Sequence, residues 1–199
     1  MEFEEFKIMY QAEDTHWWYR GLRGVMFRLL GLRNPRRRCM QILDAGCGTG
    51  GTLQALQDAG FTRTEGFDLS KVALEFCNMR GLNGMKRGSI TDIPFGDCSF
   101  DVVISCDVLN DVGTPNEQKA LTELYRVLKP RGYLFDQIRC PAPLPPESPR
   151  GSSPGGGFPF LCFAPGFETP SVFGFVGRGG LDGLGAVLAS RAGNRRAPC

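Results

Sequence analysis

The run Ile42-Leu43-Asp44-Ala45-Gly46-Cys47-Gly48-Thr49-Gly50-Gly51 constrains the fold of this chain more than any other ten residues. A short apolar stretch ends in an aspartate, and a glycine-rich turn follows at once. A buried strand delivers its C-terminal end to a nucleotide-like ligand in this way. Glycine lets the backbone turn sharply and come close to the ligand, where a Cβ would stand in the way. Asp44 adds a negative charge at the mouth of the turn, which points to a ligand that is more than a pyrophosphate.

The segments around this run alternate in period. Glu2 to Arg20 and Leu22 to Leu30 have helix-like apolar spacing. Cys39 to Ala45 reads as a strand, Gly51 to Ala59 as a helix, and Thr64 to Asp68 as a second strand. Ser70 is placed to cap a helix over Lys71 to Met79. Met85 to Arg87 is a short strand. Phe100 to Cys106 is almost wholly apolar, as expected of a strand covered on both faces. Glu117 to Leu128 is amphipathic and stops before Pro130, and Gly132 to Ile138 closes the series. Repeated strand–helix alternation predicts an α/β fold with a parallel sheet and right-handed crossovers.

Gly46-Cys47-Gly48-Thr49-Gly50-Gly51 fits the G-x-G-x-x-G pattern, and Asp68 follows about 20 residues on, where an acidic side chain can take ribose hydroxyls. Both NAD and S-adenosylmethionine are compatible with that much. Four further features separate them. Asp44 stands where dinucleotide strands usually carry an apolar residue, and a carboxylate suits an ammonium group. Asp92-Ile93-Pro94-Phe95 offers an aspartate and a following amide for the adenine edge. Ser99 to Leu109 supplies a fourth strand and its mouth. Leu124 to Leu134 reads as a helix, a Lys-Pro-x-Gly turn and a strand.

With these motifs in this order, residues 10–139 resemble the class I S-adenosylmethionine-dependent methyltransferases, in the small-molecule group that includes ubiquinone-biosynthesis enzymes. Glu13 to Arg23 is similar to the helical lid of bacterial members. The resemblance implies a Rossmann-like parallel sheet of order 3-2-1-4-5 flanked by helices. It implies a helical lid over 1–39, a cofactor domain over 40–139, and a methyl acceptor that is a small molecule with an O, N or C nucleophile. It also implies that Asp44, Gly46 and Gly48 hold the methionine part, that Asp68 takes the ribose, that Asp92 and Ile93 take the adenine, that Cys106 lines the methyl site, and that Cys47, Gly50 and Leu69 complete the cofactor site. A Glu-His pair common after the fourth strand is replaced by Asn110 and Asp111. The candidates for a general base are therefore Asp111 and the only histidine, His16.

A net charge of +2 gives little reason to expect nucleic acid, despite the basic run Arg36-Arg37-Arg38. No segment reaches the length of a membrane-spanning helix, and the acidic start Met1 to Glu5 does not look like a targeting peptide, so a cytoplasmic protein is expected. No Cys-x-x-Cys pair suggests a metal site. From Cys140 the composition changes abruptly. Of the last 60 residues, 22 are Gly or Pro, and none is Lys. The family pattern ends there, which reads as an altered, out-of-frame C-terminus over 140–199 with little order. The last strands of the family fold are then missing or replaced and the fifth strand is left as an open edge, and one reading of the chain is a cofactor-binding remnant impaired in catalysis. Phe158 to Phe163 and Val172 to Val176 are apolar enough for short strands and Gly177 to Ala189 suggests a poor helix, so a second possibility for the tail is a loose hairpin on the sheet edge.

Overall fold

The computed structural model of the chain describes residues 3–32, 34–109, 114–139, 173–179 and 183–191. Two helices come first, α1 (Phe3–Ala12) and α2 (Trp17–Leu29). They are followed by β1 (Ile42–Ala45), α3 (Gly51–Asp58), β2 (Thr64–Asp68), α4 (Lys71–Met79), β3 (Lys86–Arg87), β4 (Phe100–Cys106), α5 (Thr114–Val127) and β5 (Leu128–Arg139). A hairpin of β6 (Phe173–Gly179) and β7 (Gly183–Arg191) completes one sheet of order β3-β2-β1-β4-β5-β7-β6. The first five strands are parallel, in the expected order 3-2-1-4-5.

The single helix expected over Glu2 to Arg20 is broken at residues 13–16. His16 leaves helical geometry (φ −68°, ψ 131°), and its imidazole accepts a hydrogen bond from the Trp18 amide. That capping contact starts a new helix at Trp17. Glu13, at the break, turns toward the sheet instead of continuing α1.

β1 lies at the centre, buried on both faces at all four residues. Leu43, Phe67, Val103, Leu124 and Leu134 form the core beneath α5. Ile42, Ile104 and Phe135 pack on the other face with Met26, Leu30 and Leu56 from α2 and α3. Each fully buried apolar side chain of this size contributes roughly 1.5–3 kcal/mol. Ser70 caps α4 as its sequence suggests, accepting from the Ala73 amide. α5 passes directly into β5. The pairing registers Phe100 with Leu128 but Val102 with Tyr133, so Lys129 to Gly132 loop out as a bulge. A Cβ on Gly132 would sit 2.9 Å from the Lys129 carbonyl oxygen, and so glycine ends that bulge. Lys129 is tied to Asp101 at 2.9 Å, and Asp101 also accepts from the Gln41 amide.

The open edge expected on β5 is not there. β7 pairs antiparallel with it from Tyr133↔Arg191 to Arg139↔Gly185, and β6 pairs with β7. Residues 183–191 are therefore strand, not the poor helix expected. Each glycine weakens a helix by roughly 1 kcal/mol, while the row of unpaired backbone groups along β5 offers a ready template for another strand. The strand expected over Phe158 to Phe163 lies outside the described residues. No helix among the described residues is long and apolar enough to cross a membrane.

Candidate functional site

β1 ends at Ala45 and the chain turns through Gly46 (φ 80°), Gly48 (φ 53°) and Gly50 (φ 86°) into α3. All three are in the left-handed region that favours glycine. Space is as limiting as conformation. A Cβ on Gly46 would meet Val108 Cγ2 at 2.3 Å, and one on Gly50 would meet Leu82 Cδ1 at 2.5 Å. The turn is pinned to β2 by hydrogen bonds from the Gly46 and Cys47 amides to the Phe67 carbonyl, at 2.9 and 3.0 Å. Asp68, at the end of β2, accepts from the Gly48 amide at 2.9 Å with one oxygen and from the Ser70 amide at 2.8 Å with the other. It thus holds the turn, and its carboxylate keeps spare lone pairs for a further donor.

Asp44 is 4% exposed. Its carboxylate takes no hydrogen bond or ion pair among the described residues. Burial, reinforced by the neighbouring carboxylates of Glu13 and Asp68, pushes its pKa up to about 8. A desolvated carboxylate without a partner at the mouth of a glycine turn is suited to meet a cation.

Cys106, at the end of β4, lies close enough to Asp44 to feel its charge. Burial first, then Asp44, Asp136 and Asp107, hold its thiol well above the ordinary range, so it offers a neutral sulfur rather than a nucleophile. Cys47 shares a hydrogen with Cys77 across 3.9 Å, and Cys77 also donates to the Gly48 carbonyl. The contact with Cys77 and burial push the Cys47 thiol up as well.

The structure therefore brings together Asp44, Gly46, Cys47, Gly48, Gly50, Asp68 and Cys106. Leu69 follows Asp68 and is 66% exposed, with its side chain open to solvent. The third-strand loop departs from expectation. The Ile93 amide donates to Glu123 at 2.9 Å and its carbonyl accepts from Arg126 at 3.0 Å, while its side chain is 3% exposed in the core. That amide is committed to α5 and is not free to read an adenine edge. Asp92 is exposed and its amide donates to the Ser89 carbonyl. His16 caps α2 through Nδ1. Asp111 lies outside the described residues. Of the basic run, Arg36 and Arg38 are exposed, while Arg37 donates to the Leu30 carbonyl at 2.5 Å and stands 5.5 Å over the Tyr133 ring.

One group was not expected from the sequence. Glu13 is 7% exposed and reaches the start of α3. It accepts from the Thr49 hydroxyl and from the Gly51 amide at 3.1 Å, and pairs with Arg80 at 3.0 Å. A Cβ on Gly51 would lie 2.6 Å from the Glu13 carboxylate. Gly51 is thus glycine because Glu13 needs the room. Burial raises the Glu13 pKa, partly offset by Thr49, Arg80, Arg23 and the Gly51 amide. Its sequence context is that of an ordinary charged residue in a helix. The one available signal is the second glycine of the Gly50-Gly51 pair, which has no turn geometry to justify it.

The "Methyltransferase domain" family matches residues 43–136. A phthiotriol/phenolphthiotriol dimycocerosates methyltransferase of Mycobacterium ulcerans is 34% identical over 103 residues, covering 48% of this chain and 36% of that protein. A malonyl-(acyl-carrier protein) O-methyltransferase of Enterobacter lignolyticus is 37% identical over 109 residues, covering 51% and 40%. The chain thus spans well under half the length of these two curated relatives. Among solved structures, the mmp1179 protein of Methanococcus maripaludis shares the fold with a TM-score of 0.57 at 20% identity, over 68% of this chain and 64% of that one.

Proposed function

We propose that this chain is a class I S-adenosylmethionine-dependent methyltransferase, as its match to the methyltransferase domain over residues 43–136 supports, and that it transfers a methyl group to a small-molecule oxygen, nitrogen or carbon nucleophile. The observation that carries the proposal is Asp44, a buried carboxylate with no partner among the described residues, at the mouth of the glycine turn. The cofactor of this family brings an ammonium and a sulfonium to such a site, and two cations offset the desolvation that Asp44 has undergone.

A dinucleotide fits these residues poorly. Its pyrophosphate would need the N-terminal amides of α3. Glu13 already accepts from the Gly51 amide, and Asp44 and Asp68 add two further carboxylates facing an anionic group.

In this reading Asp44, Gly46, Cys47, Gly48 and Gly50 hold the methionine part, and Asp68 and Leu69 hold the ribose side. Asp92 remains for the adenine amino group, without the Ile93 amide. Cys106 lines the methyl site as a neutral thiol. The cofactor supplies a methyl group on a sulfonium, a leaving group that needs no acid. The work left to the chain is therefore proximity and in-line orientation. A general base is needed only for an acceptor of high pKa. With Nδ1 accepting from the Trp18 amide, the neutral His16 ring carries its proton on Nε2, so His16 could serve as that base only by giving up its capping contact, and Asp111 is the other candidate.

The N-terminal helices, residues 1–39, act as the lid. Trp17, 58% exposed and edge-on to Trp18 at 5.8 Å, offers a flat apolar surface to an acceptor. One relative is named as an O-methyltransferase, so oxygen acceptors come first. The test is incubation with S-adenosylmethionine labelled in its methyl group and a panel of phenols, carboxylic acids, amines and quinone precursors. Label in any acceptor is the expected result. Cofactor binding with no transfer across the panel would favour the alternative, a cofactor-binding chain that has lost its transferase activity.

A further inference from the structure

We propose that Glu13 is a positioning residue, which fixes the cofactor turn from the N-terminal helices and makes cofactor binding depend on their docking. The proposal rests on the reading of Gly46 to Gly51 as the cofactor turn. Glu13 lies in the break between α1 and α2, 36 residues before Thr49 in sequence. α3 begins with Gly50 as its capping residue, which has no side chain to satisfy the first helical amides. Glu13 supplies the missing acceptor from outside, taking the Thr49 hydroxyl and the Gly51 amide.

A second buried charge holds Glu13 in place. The Arg80 side chain is 5% exposed and donates to Glu13 at 3.0 Å. Arg80 also donates to Asp14 at 3.0 Å, to the Tyr10 carbonyl at 3.1 Å and, through Nε, to the Thr49 carbonyl at 2.9 Å, and its guanidinium lies 4.4 Å over the Tyr10 ring. Arg23 of α2 donates to the Glu13 carbonyl at 2.6 Å. Both sides of the turn residue Thr49 are thus bound to one ion pair, and that pair is assembled by α1, α2 and α4. Undocking the N-terminal helices removes Glu13. It leaves the Arg80 guanidinium without its buried partner and the Thr49 hydroxyl and Gly51 amide without their acceptor.

The neighbours of Glu13 give the proposal a second readout. Asp44 is faced by Glu13 and Asp68, and both raise its pKa. Glu13 is faced by Arg80 and Arg23. Removing the Glu13 charge therefore lets Asp44 ionise at lower pH. A residue that merely stabilised the fold would not move that titration.

The test uses the full chain as wild type, Glu13→Gln, Thr49→Val and Thr49→Ser. Hydrogen exchange of the peptide spanning residues 46–52 is measured without any ligand, and S-adenosylmethionine is then titrated across pH. Faster exchange confined to that peptide in Glu13→Gln and Thr49→Val is expected, with wild-type protection kept in Thr49→Ser. Cofactor affinity should fall about tenfold in Glu13→Gln, the scale of a lost charge-assisted hydrogen bond, and its pH midpoint should move down. Unchanged exchange at 46–52 in folded Glu13→Gln and Thr49→Val overturns the proposal. If wild type fails to bind the cofactor, the functional reading falls, and the ligand-free exchange still decides whether Glu13 holds the turn.

Discussion

At the scale of single residues, Asp44 carries the chemistry. A rise from the ordinary 3.8 to about 8 disfavours its charged form in the folded, ligand-free protein by roughly 6 kcal/mol. The folded-state pKa lies above the unfolded one. The contribution to stability is therefore fully present below about pH 4 and is lost as pH rises toward 8, by at most about 1.4 kcal/mol per pH unit. Asp44→Asn cannot ionise and should not show this loss. Denaturant unfolding of both proteins between pH 4 and 9, without cofactor, should give curves that converge in acid and separate toward pH 8, with Asp44→Asn the more stable. A gap independent of pH would show that Asp44 is not held in this state. The position of this aspartate was legible in the sequence, because an acid two residues before the first glycine of the turn breaks an otherwise apolar strand. The partners of Glu13 were not legible. They depend on a side chain 36 residues away, and no local pattern reports such a contact.

At the scale of elements, the loop between β3 and β4 departs most from expectation. Asp92-Ile93 suggested an aspartate and a free amide. α5 overrides that pattern. Arg126 donates to the carbonyls of Ile93 and Phe95 at 3.0 and 2.9 Å and to Asp97 and Glu123 at 2.7 Å, while Glu123 accepts the Ile93 amide. The Glu123 contact raises the Arg126 pKa further, and the same contact lowers that of Glu123. The loop is therefore shaped by a helix that follows it by about 30 residues, which a reading of neighbouring residues misses. Arg126→Met should lower stability by roughly 2 kcal/mol, for several charge-assisted hydrogen bonds lost at a partly exposed site. By calorimetry that is a drop of about 4–8 °C in Tm. An unchanged Tm would mean that the loop is held by its own turn and by Phe95 packing on Phe100. The break between α1 and α2 was missed for a related reason. Residues 13–16 are all polar, as on the exposed face of a continuous helix, and it is the capping geometry of His16 that marks the boundary.

At the scale of the molecule, the parallel half of the sheet follows from its sequence. β1 and β4 are largely apolar runs, β1 leads into a glycine turn and β2 into a capped helix, and right-handed crossovers leave few orders open to them. The C-terminal hairpin does not follow in that way. The Gly- and Pro-rich composition after Cys140 argues against order, and pairing along β5 supplies what the local sequence lacks. The site takes its character from the whole arrangement. Three carboxylates from the α1–α2 break, β1 and β2 converge on one glycine turn, and their sum favours a cationic ligand over a dinucleotide. Calorimetric titration of the full chain with S-adenosylmethionine and with NAD tests this most directly. The account predicts one-to-one binding of S-adenosylmethionine, strengthening about tenfold per pH unit up to about pH 8 as Asp44 gives up its proton, and no binding of NAD. Binding of NAD without binding of S-adenosylmethionine would contradict it.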